Sequence, residues 1–558
     1  MTGARRKIHF GREKPAPREW GGRLPVALVF PGRDRAALSA LGWQAVYRLM
    51  AERPELAVER VFAPEGDGPW VSEESGAKLS AFPVAAFSLT YEEDYPLVVS
   101  ALANSGIPPN AADRPAFPLV LGGGPPFFLN PAPIMPAMDA AFCGEAEAGM
   151  DAVIAACLDH VLAGRDKPSL LDRLSGLPGM YVPGRTPLPV RRAVRTSGAG
   201  TLASGALKDP AYSCFVSPAA EFKDMLLIEV NRGCPYGCRF CAAGFIYRPP
   251  RQASLAEVWE LIEEARPLKV GLVGTALTDW PDLLPLLHRL RREKIKFGLS
   301  SVRADGVTRE LLTVMRQSGA RTLTLALEGA SDRLRRAANK NLREEDFLSA
   351  VELAGEFGIN HLKIYCIVGW PGEREEDFLE LQDLLARACA VGKVGKGKKG
   401  IEHATLGVNC LIPKPFTPMQ WAAMPSEEAL SRALDRVKAM AKGLKGVRVQ
   451  ADRPWSARLQ GLLARGDESL FPLIAAAAEK GWKKALYEWE GDVSRFLDRE
   501  RGKDEVFPWE IIDIGVSRAS LWREWEKYKQ SLLTPKCPPS GCETCGRCGM
   551  GEWLAQVP

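Results

Sequence analysis

IEVNRGCPYGCRFCAAGFIYRP, residues 228–249 of a 558-residue chain, packs three cysteines into eight positions. Cys234, Cys238 and Cys241 are spaced C-x3-C-x2-C, with an apolar strand before them and glycines at 233, 237 and 244. Thiolates so spaced can hold three irons of a cubane cluster. The fourth iron is then open, which is a functional statement, because a structural or electron-transfer cluster normally takes four protein ligands. The competing readings are a zinc knuckle and a chance cluster. Zinc sites close with four ligands, often as paired C-x2-C, and a lone C-x3-C-x2-C fits that pattern poorly.

MLLIEV at 225–230 reads as a strand running into the cysteine loop, and short β-rich runs recur after it: LKVGLVGTAL, IKFGLSSVRAD, RTLTLALEG, HLKIYCIVGWPGE and ATLGVNCLIPKP. Helical segments such as LAEVWELIEEA, PDLLPLLHRLRRE and EEDFLSAVELAGEFG lie between them. Six β/α repeats predict a partial (β/α)6 barrel, whose chemistry sits at the C-terminal strand ends, where the cysteine loop falls. Residues 25 to about 165 alternate apolar runs (LPVALVF, FPVAAFSLT, FPLVLGGGPP) with amphipathic stretches, the pattern of a Rossmann-like open parallel sheet. The expected fold class is therefore α/β, with a Rossmann-like domain at 1–180, a Pro/Gly/Ser/Arg-rich linker at 181–220, the barrel at 221–425 and a mainly helical extension at 426–558.

Length predicts two to four domains. Hydrophobic content of 46% and charged content of 25% are those of a folded globular protein, and a net charge of +5 permits a nucleic-acid partner without arguing for one. No apolar run reaches signal-peptide or membrane-spanning length, so no membrane partner is expected. The thirteen cysteines are clustered, and the chain reads as cytoplasmic, where thiols stay reduced and can bind metal. Cys143, Cys157, Cys214, Cys366, Cys389 and Cys410 lie mostly in apolar runs and read as core residues.

Phe240, just before the last cysteine, completes C-x3-C-x-aromatic-C, which resembles the signature of the radical S-adenosylmethionine superfamily. RGCPYGCRFCAAGFIYRP, LVGTALTD, LALEGASDRLRRAANK, IVGWPGE and VNCLIPKPFTPMQW extend the resemblance to an uncharacterised bacterial branch with an N-terminal cobalamin-binding-like domain. It implies a [4Fe-4S] cluster whose open iron binds S-adenosylmethionine, and reductive cleavage of that cofactor to a 5'-deoxyadenosyl radical. It further implies cofactor contacts at the strand ends: Gly274 and Thr275 toward the methionine amino end, Ser300, Ser301 and Arg303 toward the carboxylate or ribose, and Glu328 with Ile367, Val368 and Gly369 toward ribose and adenine. An arginine there can grip a carboxylate bidentately. Each of these positions has the alternative reading of a loop residue capping the next helix, the weaker alternative for Glu328 and Arg303 because charged residues on such loops are seldom needed for packing.

Cys537, Cys542, Cys545 and Cys548 form a second set, C-x4-C-x2-C-x2-C, which begins like a plant-type ferredoxin and can close an auxiliary iron–sulfur cluster or a zinc site. Branches that bind cobalamin carry Asp-x-His-x-x-Gly after the first strand, but here PGRDRAALSALG holds no histidine. Ser88-Leu89-Thr90 and the Gly122-Gly123-Gly124 loop look kept. Either cobalamin binds without a protein ligand or the domain is a scaffold. Lys393, Lys396, Lys398 and Lys399 form a basic loop that reads as an RNA contact or as solvated surface, and Lys414 and Trp421 fall where a substrate could approach or where prolines simply fix a turn.

The expected function is an enzyme that abstracts hydrogen from an unactivated C–H bond, with methylation or methylthiolation of RNA or protein as the outcome and flavodoxin or ferredoxin as reductant. The alternatives are a non-catalytic iron–sulfur or zinc protein in electron transfer or assembly, and radical rearrangement or cyclisation of a small metabolite.

Overall fold

Leu24–Phe30 (β1) carries apolar residues on both faces, as a strand covered by helices on both sides must. The computed structural model describes residues 8–11, 15–66, 68–195, 206–395, 400–538, 541–542 and 545–556. β1 pairs in parallel with Leu56–Phe62 (β2) on one side and Val84–Ser88 (β3) on the other. Leu119–Gly123 (β4) and Ala140–Phe142 (β5) continue the parallel sheet, and Met180–Tyr181 (β6) closes it antiparallel. The strand order is β2-β1-β3-β4-β5-β6. The chain reverses direction across the sheet between β1 and β3, and a crevice opens at the carboxyl ends of strands at such a point. Helices Leu41–Ala51, Tyr95–Asn104 and Met150–Val161 accompany the sheet.

The barrel begins with three parallel strands, Leu226–Glu229 (β7), Lys269–Val273 (β8) and Lys296–Leu299 (β9). Four more follow: Thr322–Glu328 (β10), His361–Val368 (β11), His403–Cys410 (β12) and Val447–Ala451 (β13). The two groups meet through Val302, whose amide donates to Thr324 O at 3.0 Å. β13 adds one strand to the six read from the sequence. VRVQA alternates polar residues with half-buried ones and lies between long helical patterns, so its period-2 signal is short and weak. On β10 to β12 the residues facing the outer helices are buried, while Thr324, Ala326, Glu328, Ile367, Thr405 and Gly407 line a half-exposed interior. This barrel interior is open, unlike the filled core of a closed one.

The stretch 181–220 is held at several points. Val190–Arg191 pairs with Ile512–Asp513, Phe215–Val216 pairs with His9–Phe10, and Ser213 N donates to Leu227 O at 2.9 Å. Residues 196–205 within it lie outside the described residues, as do Lys396, Lys398 and Lys399 of the basic loop. The C-terminal helices return to the first domain: Phe471–Lys480 packs on Tyr95–Asn104, and Asn130 Nδ2 donates to Ala464 O and Gly466 O at 3.1 and 2.8 Å. Cys143, Cys157, Cys214, Cys366 and Cys410 are buried and Cys389 is half-buried. Among the described residues no helix is long and apolar enough to cross a membrane.

Candidate functional site

The cysteine loop leaves the C-terminal end of β7. Asn231–Arg232 pairs antiparallel with Arg251–Gln252, so residues 233–250 form a loop pinched at its base. Gly233 opens it at φ +77°, and a Cβ there would stand 2.3 Å from Tyr247 O, so only glycine fits. Cys241 N donates to Cys238 O at 3.1 Å, and the short helix Ala243–Ile246 follows. All three cysteines are partly buried residues. Burial pushes Cys234 up to about 12 and Cys241 up to about 11, with Cys238 the strongest charged neighbour of both. Burial raises Cys238 as well, against the pull of the Lys340 and Arg303 cations. Metal loading must therefore displace protons from this loop. Among the described residues no three His, Cys, Asp or Glu side chains converge into a ready single-ion site.

The residues expected to contact a cofactor divide into two groups. Gly274 and Thr275 serve the loop itself. Thr275 Oγ1 donates to Gly233 O at 2.6 Å and its amide to Asn231 Oδ1 at 2.7 Å, while a Cβ on Gly274 would strike Asn231 Oδ1 at 2.6 Å. Ser300 and Ser301 are exposed at the end of β9. Arg303 has its fork taken: Nε and Nη2 donate to the two Asp305 oxygens at 3.0 and 2.7 Å, and the guanidinium lies 3.9 Å over the Tyr236 ring. That edge is not free for a bidentate grip on a ligand carboxylate.

Glu328 is different. It ends β10 in the left-handed region at φ +69°, after a register shift between Ala326 and Glu328. Such backbone costs about 1–3 kcal/mol in a non-glycine residue and persists where the surroundings impose it. Its carboxylate meets the buried Lys340 ammonium at 3.5 Å, and both charges act on Cys238. Ile367 is half-buried, its carbonyl accepting from Trp370 Nε1 at 2.8 Å. Gly369, at φ +84°, donates its amide to Glu373 Oε2 at 2.9 Å. Phe240 stands edge-on to Trp370 at 5.4 Å, and Trp370 stacks on Tyr528, so the aromatic before Cys241 caps a ring cluster.

Sequence reasoning missed Lys340, Glu373 and Arg239. Lys340 sits in the quoted LALEGASDRLRRAANK run, and Glu373 in HLKIYCIVGWPGE. Burial pushes the Glu373 carboxyl up to about 7. Arg239, between two of the cysteines, is fully buried; it donates to Ala337 O at 2.6 Å, Leu532 O at 2.8 Å and Glu524 at 2.8 Å. Lys414 and Trp421 do not line a substrate approach. Lys414 pairs with Glu92 of the first domain at 2.6 Å, and Trp421 is fully buried against Trp522 and Phe507, because the C-terminal helices cover this segment.

The C-terminal cysteines lie beside the same loop. Cys537 N donates to Pro235 O at 2.7 Å, and Thr534 N donates to Asn339 Oδ1 at 2.8 Å, while Asn339 Nδ2 donates to Gly237 O at 3.1 Å. Cys537, Cys542, Cys545 and Cys548 act on one another electrostatically; burial pushes Cys537 up, and Cys542 up to about 12.

A cavity of about 450 Å³ separates the carboxyl ends of the first sheet from the mouth of the barrel. Trp43, Ala86 and Leu121 form its apolar floor, and Glu229, Arg232 and Thr275 its barrel wall. Arg232 joins Glu145, Glu147 and Glu229 at 3.1, 2.9 and 2.8 Å. Burial pushes Glu145 up, but Arg251, Arg232 and Arg192 overcome it and hold the carboxyl at about 2. The Gly122-Gly123-Gly124 loop lines the cavity, but not all three glycines leave room for a ligand. A Cβ on Gly122 would hit the Phe127 ring at 2.1 Å and one on Gly124 the Leu89 carbonyl at 2.0 Å, so these two serve internal packing. Only Gly123 faces open space. No histidine is among the described residues lining the cavity.

Two family models match the chain: "Radical SAM proteins, N-terminal" over residues 42–183 and "Radical SAM superfamily" over residues 228–385. An uncharacterized protein of Methanocaldococcus jannaschii is 28% identical over 454 residues, covering 80% of this chain and 89% of that relative. The ribosomal protein uS12 methylthiotransferase RimO of Saccharopolyspora erythraea is 28% identical over 50% of this chain, which spans 60% of that enzyme's length. The tRNA-2-methylthio-N(6)-dimethylallyladenosine synthase of Tropheryma whipplei is 26% identical over 36% of this chain and 43% of its own. Among solved structures, the radical S-adenosylmethionine methyltransferase TsrM from Kitasatospora setae, with cobalamin and a [4Fe-4S] cluster bound, shares the fold at a TM-score of 0.51 and 14% identity, over 84% of this chain and 100% of that one. The two family models follow each other in the order of the two sheets and together take in more than half of the chain, which belongs to the radical S-adenosylmethionine superfamily.

Proposed function

We propose that this radical S-adenosylmethionine enzyme carries its catalytic [4Fe-4S] cluster on Cys234, Cys238 and Cys241 and transfers a methyl or methylthio group to an RNA or protein substrate. The observation that carries the reading is the placement of three thiols on one glycine-hinged loop at the C-terminal mouth of the barrel. When bound, the cluster supplies the electron that cleaves S-adenosylmethionine to 5'-deoxyadenosyl radical and methionine. The chain's residues do the rest. Glu328 and Lys340 offer opposite charges beside Cys238, suited to the ammonium and carboxylate of an amino-acid moiety. Phe240 and Trp370 wall one side of the loop with apolar surface. Cys537, Cys542, Cys545 and Cys548 hold an auxiliary centre next to it, and a flavodoxin or ferredoxin serves as reductant. The methylthiotransferase relatives support a macromolecular target.

The test is direct. Protein reconstituted anaerobically with iron and sulfide and given dithionite releases 5'-deoxyadenosine from S-adenosylmethionine, and Cys238→Ala abolishes the release. Absence of product from fully loaded wild-type protein refutes the reading.

The cavity between the two sheets supports a second cofactor, a corrinoid, held without an imidazole ligand from the protein. Its apolar floor runs beneath helix Leu41–Ala51, and Gly123 leaves room at the rim. Wild-type protein incubated with hydroxocobalamin should retain about one equivalent through gel filtration; none retained leaves this domain a scaffold.

A further inference from the structure

We infer that the inner face of the four-stranded sheet β10–β13 is the docking surface for a single-stranded stretch of RNA, with one base stacked on Tyr365 and phosphates held by Lys363 and Arg448. The inference rests on the reading of this chain as a transferase acting on a macromolecule, and it names which macromolecule.

Strand alternation sets the face. The pairing places Thr324, Lys363, Thr405 and Arg448 in one row across the four strands, and Ala326, Tyr365, Gly407 and Gln450 in the next. Ile364, Leu406 and Val447 turn the other way, toward Leu385 and Ala388 of helix Glu375–Val391. Lys363, Tyr365, Arg448 and Gln450 are exposed. Tyr365 lies down on the sheet. A Cβ on Gly407 would stand 2.9 and 3.1 Å from its Cδ1 and Cε1, so glycine is what lets the ring rest over the neighbouring strand. The residue paired with it on the other side is Ala326, also small, and 39% of Tyr365 stays exposed. A ring so placed is a stacking platform for an unpaired base. His361 and His403, further down the strands, stack on each other at 4.3 Å, and His361 Nε2 meets Thr405 Oγ1 at 2.9 Å, so these rings are engaged within the protein.

Lys363 and Arg448 stand one row below Tyr365 and two strand spacings, about 10 Å, apart. The carboxylates at the upper rim are occupied, Glu328 by Lys340 at 3.5 Å and Asp452 by Asn409 Nδ2 and the Cys410 amide at 3.0 and 3.3 Å. The exposed charge of the two rows is therefore positive, which suits phosphate. Gln450 and Thr324 add neutral donors and acceptors of the kind that read a base edge or a 2'-hydroxyl. A peptide occupant would draw instead on apolar pockets for alternate side chains. Here Ala326 and the Tyr365 ring are the apolar groups of the two rows, and the rest is charge, hydroxyl and amide. Tyr365 also lies two residues, about 7 Å, below Ile367 at the mouth of the barrel, so a strand stacked on it runs toward the cysteine loop.

The experiment uses the full chain, reconstituted anaerobically, and follows by fluorescence anisotropy the binding of a labelled oligoadenylate of about ten nucleotides. Wild type should bind it, with an affinity that falls as salt rises. Tyr365→Ala should weaken binding about tenfold, and Tyr365→Phe, which keeps the ring, should restore it. Lys363→Gln/Arg448→Gln should make the slope of log affinity against log salt shallower by about 1.4. Lys438→Gln/Lys442→Gln, exposed on the outer helix Glu427–Lys442, should leave that slope as it is. The oligodeoxyadenylate of the same length should bind several-fold more weakly. No binding at about 50 mM salt overturns the inference and leaves the face to a peptide. Unchanged affinity in Tyr365→Ala, equal slopes in the two double variants, or equal binding of the DNA oligomer overturns it as well. Release of 5'-deoxyadenosine by the wild type is measured in parallel. RNA binding without release refutes the catalytic reading and leaves this inference standing, whereas release without RNA binding does the reverse.

Discussion

Replacing Arg239 by Met should release the C-terminal segment from the cysteine loop without disturbing the first domain. The methionine keeps the apolar stem and removes the guanidinium. Lost with it are the bonds to Leu532 O and Glu524 at 2.8 Å each, which cross between the loop and the C-terminal segment, and the bond to Ala337 O at 2.6 Å. Hydrogen bonds to a charged group contribute about 1.5–3 kcal/mol each. Glu524 is not stranded, because it keeps Lys527 at 3.0 Å and Thr534 at 2.9 Å, so the larger penalty of an orphaned buried charge does not apply in full. The opening free energy of the segment should then fall by about 3 kcal/mol, or roughly 100-fold in its opening equilibrium. Two amides read this directly: Thr534 N, bonded to Asn339 Oδ1, and Cys537 N, bonded to Pro235 O. Hydrogen exchange with mass spectrometry should show peptides across 531–538 losing protection by about that factor, with helix Leu41–Ala51 unchanged. A double-mutant cycle with Glu524→Gln should give a coupling of about 1–3 kcal/mol. Unchanged protection at 531–538, or equal loosening of both regions, refutes this role of Arg239.

Two further outcomes follow from individual residues. The Glu373 carboxyl is raised by burial from an ordinary 4.5 to about 7, so the folded chain keeps this proton over a range in which the unfolded chain has lost it. Stability from this group is therefore lost as pH rises from about 4.5 to 7, by about 3 kcal/mol in all. In Glu373→Gln that loss disappears; melting temperatures across this range should shift in the variant's favour with rising pH, and parallel curves would contradict the assignment. Gly233→Ala forces a side chain into the left-handed region, at about 1–2 kcal/mol, and sets a Cβ 2.3 Å from Tyr247 O. The loop must shift, and iron retained after anaerobic reconstitution should fall below that of the wild type; equal retention would show that the hinge tolerates a Cβ.

The alternation of β10, β11 and β12 was plain in the sequence because their outward faces are buried by helices, which writes a strict period of two. β13 was hidden because VRVQA is an edge strand with half-buried residues, so neither of its faces carries a full apolar signal. The three cysteines were legible because their ligand role is local, confined to one loop. Arg239 was not, since its partners lie 285 and 293 residues away and nothing in RFC says what will cover it. Trp421 shows the same limit in reverse: a tryptophan among prolines after a barrel strand looks placed for an approaching substrate until the C-terminal helices are laid over it. The glycine loop at 122–124 shows a third kind of limit. Glycine there signals close approach, but Phe127 and the Leu89 carbonyl are what approach at two of the three positions, and spacing alone cannot tell a protein neighbour from a ligand.

What the chain's length adds to the cysteine triplet is therefore mainly enclosure. The loop at 233–250 is gripped from three sides by residues distant in sequence: Thr275 from β8, Asn339 after β10, and the segment at 532–537 that returns from the C-terminus. Each grip ends on a backbone carbonyl or amide of the cysteine loop or on a side chain that it carries. Thiols held on such a frame keep their spacing whatever the substrate side of the barrel does, and the open interior of β10 to β12 is left free to vary with the molecule it must admit.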